Sequence, residues 1–364
     1  MNQYWLLHWK SGLIATTLSI AGGVINILKE MDLMETIKLP NSDLEPSRIA
    51  LGTWAIGGWM WGGTDEKQSI DTVQSAVARG ITCIDTAAVY GFGESERLVG
   101  KALKEGGIRD RVVLATKCGL NWNDNGPYRD ASRARIEREV DDSLKRLQSD
   151  YIDLYQLHWP DPTVEVEEAA TVLRELRERG KIRAVGVSNF SVEQMRAFEK
   201  VCPLSTVQPP YNLFERDIER DILPAAREDG VGTLTYGALC RGFLSGKMGR
   251  DTTFEGDDLR NNDPKFQSPR YAQYLSAVEK LDAYAREHYD KRVLHLALRW
   301  LLDQPGVSVA LWGARRPDQL DPASEVMGWS LSDRALRDID DILAECITDP
   351  VGPEFMAPPT RNEA

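Results

Sequence analysis

The sequence predicts an α/β protein built as a (β/α)8, or TIM, barrel, and three observations predict it. From residue 36 onward, apolar β-prone runs alternate with amphipathic helical runs, the order that produces a parallel sheet. Eight strand-like runs occupy roughly 290 residues, which suits a barrel of ~250 residues carrying insertions. Groups able to move protons stand just past the ends of several runs, and in a parallel barrel those ends share one face. The competing fold, an open doubly wound sheet, calls for a glycine-rich turn after the first strand and an acid about 20 residues on. Here Gly57, Gly58, Gly62 and Gly63 are interleaved with Trp54, Trp59, Met60 and Trp61, so that fingerprint is missing.

The elements follow in order. Residues 49–54 form the first strand, ending in Gly52-Thr53-Trp54. Residues 65–79 have helical periodicity, with Ile70, Val73 and Val77 on one face and Gly80 closing the helix. Strand 81–84, a short helix at 95–103 and strand 112–116 come next. Helix 132–147 carries an apolar stripe of Ile136, Val140, Leu144 and Leu147. Strand 152–157, helix 164–179 closed by Gly180, strand 182–187, helix 192–201 and the short strand 206–208 continue the alternation. The helix at 218–229 contains Pro224, so it kinks or starts late. Strands at 233–236 and 307–311 complete the eight. Residues 237–270 are polar and rich in Gly and Asp, and a loop of that length predicts a functional lid. Residues 331–344 form an extra terminal helix.

Two flanking segments stand apart from the barrel, which is expected to span residues 34–348. Residues 11–28 carry no charge and follow Lys10, like a signal core or a marginal membrane span. Ser, Thr, Gly and Asn interrupt them, and no small-residue cleavage site follows. Residues 1–33 are therefore expected to be an apolar extension, either a non-native or misassigned start or a loosely ordered segment. An amphipathic or membrane-associated helix ranks second and a cleaved signal third. Residues 349–364 are Pro-rich and read as a flexible tail.

Charge and cysteine content narrow the function. Forty-four basic and 56 acidic side chains leave a net charge of −12, which argues against a nucleic-acid binder because phosphate binding needs clustered Lys and Arg. The five cysteines are odd in number and match no zinc or disulfide spacing. Reduced thiols in a cytoplasmic protein are the simple reading. Cys83 and Cys118 read as small core residues rather than nucleophiles, and no metal site is expected.

The strand ends carry the chemistry. Asp85 ends one run and Tyr90 follows five positions later; Lys117 and His158 end two others. A phenol has a reference pKa of about 10, so it gives up a proton to a developing alkoxide near neutral pH only if a neighbouring cation lowers that value. Lys117 is the candidate cation. Asp85 could keep Lys117 charged against an apolar barrel wall. His158 could orient a carbonyl oxygen or join a proton relay. Of the four histidines, His8, His158, His288 and His295, only His158 follows a strand; His295 reads as a core or helix residue. Taken alone, Asp85 could equally be a turn or helix cap.

Four segments resemble the aldo-keto reductase family in order and spacing: Asp85-Thr86-Ala87-Ala88-Val89-Tyr90-Gly91, Thr116-Lys117-Cys118-Gly119, Leu157-His158-Trp159-Pro160 and Gly186-Val187-Ser188-Asn189-Phe190. The resemblance covers residues 36 to about 345. It implies a TIM barrel binding a nicotinamide cofactor, Tyr90 as general acid, Lys117 and Asp85 as its tuners, and His158 as the group orienting the carbonyl. It also implies that Ser188, Asn189 and Gln208 clamp the carboxamide, that Tyr236 stacks on the nicotinamide ring, and that Gly52, Thr53 and Trp54 border the cofactor. Leu239, Arg241, Gly242, Ser245, Gly246 and Lys247 resemble the loop over the pyrophosphate, with Arg241 and Lys247 supplying charge. Gly313, Arg315 and Gln319 resemble the adenosine end, where a guanidinium suits a ribose phosphate. NADP(H) is therefore expected over NAD(H), with Arg315 first and Arg316 second as the phosphate contact.

Two positions depart from the family pattern. Ala323 stands where many members carry an Asn that meets adenine, and Gly237-Ala238-Leu239 replaces Ser-Pro-Leu; both weaken the expected hold on the cofactor. Trp54, Trp59, Trp61, Phe92, Trp122 and Trp159 are the expected substrate walls, suited to an apolar or sugar-like carbonyl compound. The expected activity is reversible reduction of aldehydes or ketones. A non-catalytic, cofactor-sensing subunit of a membrane channel is the alternative the same resemblance allows. A hydrolase using Asp85 would leave Lys117, Ser188, Asn189 and Arg315 without a shared purpose.

Overall fold

A computed structural model describes residues 34–364 and, ahead of them, the backbone of two paired antiparallel strands, β1 (Ala15–Ile20) and β2 (Gly23–Leu28). The hairpin takes the place of the helix expected second for this segment; its Thr, Ile and Val content suits strands. The other expectations for residues 1–33 lie outside the described residues. Among the described residues, no helix is long and apolar enough to cross a membrane.

Eight parallel strands close a barrel. They are β3 (Ile49–Gly52), β4 (Cys83–Asp85), β5 (Val113–Cys118), β8 (Ile152–Leu157), β9 (Ile182–Ser188), β10 (Thr206–Gln208), β11 (Gly232–Thr235) and β12 (Val309–Gly313), and β12 pairs back onto β3. Between β5 and β8 lies a small hairpin, β6 (Leu120–Asn123) and β7 (Gly126–Arg129). The helices are α1 (Glu66–Ala78), α2 (Glu94–Gly106), α3 (Arg133–Leu147), α4 (Val166–Glu178), α5 (Val192–Glu199), α6 (Ile222–Asp229), α7 (Arg270–Tyr289), α8 (Val293–Asp303) and α9 (Asp333–Cys346).

Alternation along each strand divides the core in two. One face looks inward, where small side chains (Ala50, Cys83, Ala115, Ala184) meet Leu154, Leu234 and Val309, and Leu39 and Leu44 plug the lower end. The other face, with Ile49, Leu51, Ile84, Leu114, Tyr155 and Val185, packs against the helices. Cys83 and Cys118 are buried free thiols, and burial raises both above the usual thiol range, so neither is poised as a nucleophile. Ladder register aligns Gly52 with Asp85 and Gly313, and Lys117 with Gln156. Polar side chains at the upper strand ends are thereby brought to one level.

The helix containing Pro224 starts late. A 3-10 turn at Asp217–Glu219 precedes α6, and Pro224 falls in the first turn, where its missing N–H costs nothing. Helices α7 and α8 and the β6–β7 hairpin have no counterpart among the predicted elements. The reason for α8 is physical: every residue from Val293 to Leu302 is buried, so no polar face marks its period. His295 sits there, buried, with Nδ1 accepting the Arg292 N–H.

Residues 349–364, expected as a flexible tail, lie across the barrel mouth and are fastened at both ends. Lys265 Nζ donates to the Gly352 carbonyl at 3.0 Å. At the far end, Arg129 donates through its backbone N to the Pro359 carbonyl and through Nε to the Pro358 carbonyl, each at 2.9 Å. Arg361 pairs with Asp130 and Asp161. Proline lacks a donor but keeps its carbonyl, and here those carbonyls are the anchoring acceptors.

Candidate active site

Asp85, at the end of β4, is buried, and both of its oxygens are used. Oδ2 accepts from Lys117 Nζ at 2.6 Å; Oδ1 accepts from Gln208 Nε2 at 2.9 Å and Gln156 Nε2 at 3.2 Å. Lys117, on β5, is equally buried, and its ammonium also donates to the Thr86 carbonyl at 2.9 Å and the Tyr90 hydroxyl at 3.2 Å. The three ammonium hydrogens thus have three acceptors. Thr53, after β3, backs the site by donating its hydroxyl to the Asp85 carbonyl.

Tyr90 lies in the turn after β4. Its ring stacks on Trp54, with centroids 5.9 Å apart at 22°, and meets His158 edge-on at 5.7 Å. The close approach of the Trp54–Gly57 turn explains a glycine. A Cβ on Gly57 would come within 2.7 Å of the Tyr90 carbonyl carbon, and Gly91, at φ +61°, faces the Gly57 carbonyl from the other side. Only glycine allows both backbones to meet there.

Burial pushes the Tyr90 phenol up, and the Lys117 ammonium pulls against it without prevailing. The expected net lowering by Lys117 is thus not reached: the apolar, stacked setting outweighs the cation. For Lys117 the balance runs the other way. Burial disfavours its charge, but Asp85 and the phenol outweigh burial and raise its pKa. Burial, and then the Lys117 charge, hold His158 well below the ordinary imidazole range, so it is neutral near pH 7.

A cleft of about 520 Å³ runs from Tyr90 and Asp85 to the residues after β12. Along it lie Gly52, Thr53 and Trp54 after β3, Tyr236, Leu239, Gly242, Ser245 and Lys247 after β11, and Gly313, Arg315 and Gln319 after β12. Arg315 makes hydrogen bonds to main-chain carbonyls of the residue 54–64 loop and has no carboxylate partner among the described residues, whereas exposed Arg316 pairs with Asp318. Ala323 is fully buried and offers the cleft nothing.

Other expected residues lie elsewhere. Ser188, Asn189 and Gln208 sit beside the tyrosine end of the cleft and are bonded to one another and to its neighbours. Ser188 Oγ donates to the Gln208 carbonyl, Asn189 Nδ2 to the His158 carbonyl and Ser188 Oγ, and the Tyr236 hydroxyl to Asn189 Oδ1. Gly246 ends a 3-10 segment at φ +69°. Trp54 and Trp61 border the cleft, with Trp61 edge-on to Trp54 at 5.5 Å. Trp59, Phe92 and Trp122 form a separate chain of rings, and Trp122 and Trp159 pack with Tyr90 over Ala87, Val89 and Leu120.

Arg241 has protein partners that the sequence did not reveal. Expected to supply charge over the pyrophosphate, it borders the cleft, but its guanidinium is buried and paired with Glu215 and with Asp263, the latter at 2.6 Å. Lys265 joins at 2.8 Å from Glu215. Burial works against the Glu215 carboxylate, yet Arg241 and Lys265 more than offset it and hold its pKa below the usual range. The Arg241 charge is thus part of a cluster with two buried carboxylates and Lys265.

Sequence reasoning missed Gln156, Arg260, Met356 and this ion cluster. Gln156 gave one signal, a lone amide in an otherwise buried strand facing the Asp85 level. Arg260 borders the cleft, held by Asp258 and packed against Phe254 and Trp61. It stands in the segment expected to be a lid, which is tied to the first barrel loop by a Leu259 N–H to Met60 carbonyl bond at 3.0 Å and a Met60 N–H to Asp257 Oδ2 bond at 2.8 Å.

A closed parallel barrel whose strand ends hold an Asp–Lys pair beneath a tyrosine, beside a long cleft, has its polar site on the face where barrel enzymes build theirs. The profile of the aldo/keto reductase family matches residues 48–344, and the chain belongs to that family. It is 62% identical over 330 residues to the aldo-keto reductase YhdN of Bacillus subtilis (strain 168), covering 91% of this chain and all of that protein. It is 36% identical to an NADH-specific methylglyoxal reductase of Escherichia coli (strain K12), over 82% of this chain and 95% of that one. Among solved structures, the glycerol dehydrogenase AKR11B4 of Gluconobacter oxydans superposes with a TM-score of 0.80 at 52% identity, covering 89% of this chain and 99% of that one. An aldo/keto reductase from Klebsiella pneumoniae in complex with NADP and acetate superposes with a TM-score of 0.65 at 27% identity, over 85% and 96% of the two chains.

Proposed function

We propose that this protein is an NADP(H)-dependent reductase of aldehydes or ketones, acting reversibly. The observation that carries the reading is the Tyr90 hydroxyl 3.2 Å from a Lys117 ammonium that Asp85 holds in its charged form.

The residues present suit a nicotinamide dinucleotide. The cleft offers an aromatic ring at Tyr236, an uncovered backbone at Gly313 and cationic side chains at Lys247 and Arg315. Once bound, such a cofactor would supply the hydride that the carbonyl carbon accepts. Tyr90, although its pKa is raised, gives its proton to the developing alkoxide, a stronger base than a phenolate, completing the alcohol, and Lys117 stabilises the phenolate left behind. Asp85 keeps Lys117 charged. His158, neutral, orients the carbonyl oxygen. Ser188, Asn189 and Gln208, held in place by the bonds they share with Tyr236, His158 and Asp85, would clamp the carboxamide of the nicotinamide. Trp54, Trp61, Trp122 and Trp159 form apolar walls that exclude water from the proton donor.

The preference for NADP(H) rests on Arg315, a guanidinium without a carboxylate partner at the adenosine end. Relatives are divided, one being NADH-specific by name and another solved with NADP, so composition of this site and not kinship decides.

Aldehyde-dependent oxidation of NADPH across small, sugar and aromatic aldehydes tests the reading. Turnover supports it. Tight NADPH binding with no turnover on any member would instead favour a cofactor sensor.

The pH dependence follows from the same groups. Tyr90 is pushed up and must be protonated to act as acid, while His158 is pushed down and stays neutral through the mid-range. The rate of reduction is expected to be flat from about pH 6 to 8, because Tyr90 is held above its reference value of about 10 and His158 well below its reference value of about 6.5, and to fall only on the alkaline side. An ionisation near pH 6.5 in kcat/KM that vanishes in His158→Gln would contradict it.

A further inference from the structure

Arg315 does more than wait for an anion. Its Nη1 donates to the Trp61 carbonyl at 2.5 Å and its Nη2 to the Gly63 carbonyl at 2.6 Å. Its backbone N–H donates to Gln319 Oε1 at 2.7 Å, which fixes the root of the side chain. The guanidinium therefore bridges two loops far apart in sequence, the one after β12 and the one after β3. Two main-chain carbonyls neutralise none of its charge. Nearby Arg260 and Arg316 each have their own carboxylate, Asp258 and Asp318. Nε and the second hydrogen on each terminal nitrogen of Arg315 have no acceptor among the described residues, so one edge of the fork is still available. The loop it holds leads to the reacting centre, since the Trp61 ring abuts Trp54 and Trp54 stacks on Tyr90.

We propose that Arg315 is a positioning residue that couples a phosphate at the adenosine end of the cleft to the order of the residue 54–64 loop, and so to the substrate pocket. A phosphate on the open edge of the guanidinium restrains it, and the two carbonyls that share it are restrained in turn. The loop then presents Trp54 and Trp61 in one arrangement at less entropic cost to an incoming substrate. Coupling of this kind is reciprocal: a substrate that packs on the tryptophans tightens the hold on a phosphorylated cofactor. Without the phosphate, Arg315 keeps only its neutral acceptors and the loop is looser. The inference rests on the NADP(H) reading above.

The adenosine end can be probed alone with adenosine 2′,5′-bisphosphate, using 5′-AMP as the control lacking the second phosphate. Amide hydrogen exchange of residues 54–64 is the readout. In the wild-type chain the bisphosphate is expected to slow exchange there by about tenfold, the effect of securing one charged hydrogen bond, and 5′-AMP to leave it unchanged. In Arg315→Lys, which keeps the charge but cannot bridge two carbonyls and a phosphate, the bisphosphate still binds, more weakly, and the slowing is lost. Steady-state kinetics should agree: substrate KM lower with NADPH than with NADH in the wild type, and the two equal in Arg315→Lys. If the bisphosphate binds more tightly than 5′-AMP yet leaves residues 54–64 unaltered, the coupling is overturned and the NADP(H) reading stands. If it binds no more tightly than 5′-AMP, that reading fails and the coupling fails with it.

Discussion

Tyr90→Phe is expected to lose turnover by roughly 10²–10⁴-fold, the usual contribution of a positioned general acid, while NADPH binds as before. The substitution removes one oxygen from a ring that still stacks on Trp54 and still packs over Ala87, Val89 and Leu120, so the fold and the cleft are preserved. Lys117 keeps two of its three acceptors, Asp85 and the Thr86 carbonyl. Single-turnover reduction under saturating NADPH isolates the chemical step. A mutant with wild-type turnover would remove Tyr90 from its assigned role, and a mutant that no longer binds NADPH would show that the tyrosine serves the cofactor instead.

The second large effect is expected far from the chemistry, at Arg241→Met. The guanidinium lies among Glu215, Asp263 and Lys265, all buried. Its removal leaves two buried carboxylates with a single cation. Breaking such a pair by deleting one partner costs about 3–5 kcal/mol, which urea unfolding would register as a lower midpoint with the slope retained. A pyrophosphate-binding arginine would behave otherwise, with cofactor affinity falling and stability nearly unchanged. The two readouts separate the roles, and unchanged stability would refute the structural one.

The contrast between these two residues shows what the chain discloses before folding. The barrel was legible because strand and helix periods differ and alternate, and Asp85, Tyr90, Lys117 and His158 were legible because each follows an apolar run whose end is fixed by the fold. Arg241 was not. Its partners Glu215 and Asp263 are 26 and 22 positions away, and no local pattern distinguishes an arginine that meets them from one that meets a phosphate. Gln156 posed the same difficulty, as did the bond from the expected Gln208 to Asp85, since both contacts with Asp85 exist only once the strands are in register. Helix α8 was hidden by uniform burial, and the tail by a composition rich in proline, which reports the lack of donors and says nothing about where the carbonyls go.

That tail has a practical reach. Its last residues are pinned to Arg129, Asp130 and Asp161, its middle brings Met356 to the cleft wall, and Phe355 lies against the Arg241 guanidinium. Residues 349–361 are thus a working surface, unlike a spare thread. A sequence change within residues 349–361 would therefore be felt at Lys265 in the lid segment and at Arg129 of the β6–β7 hairpin together, and through Met356 at the cleft wall.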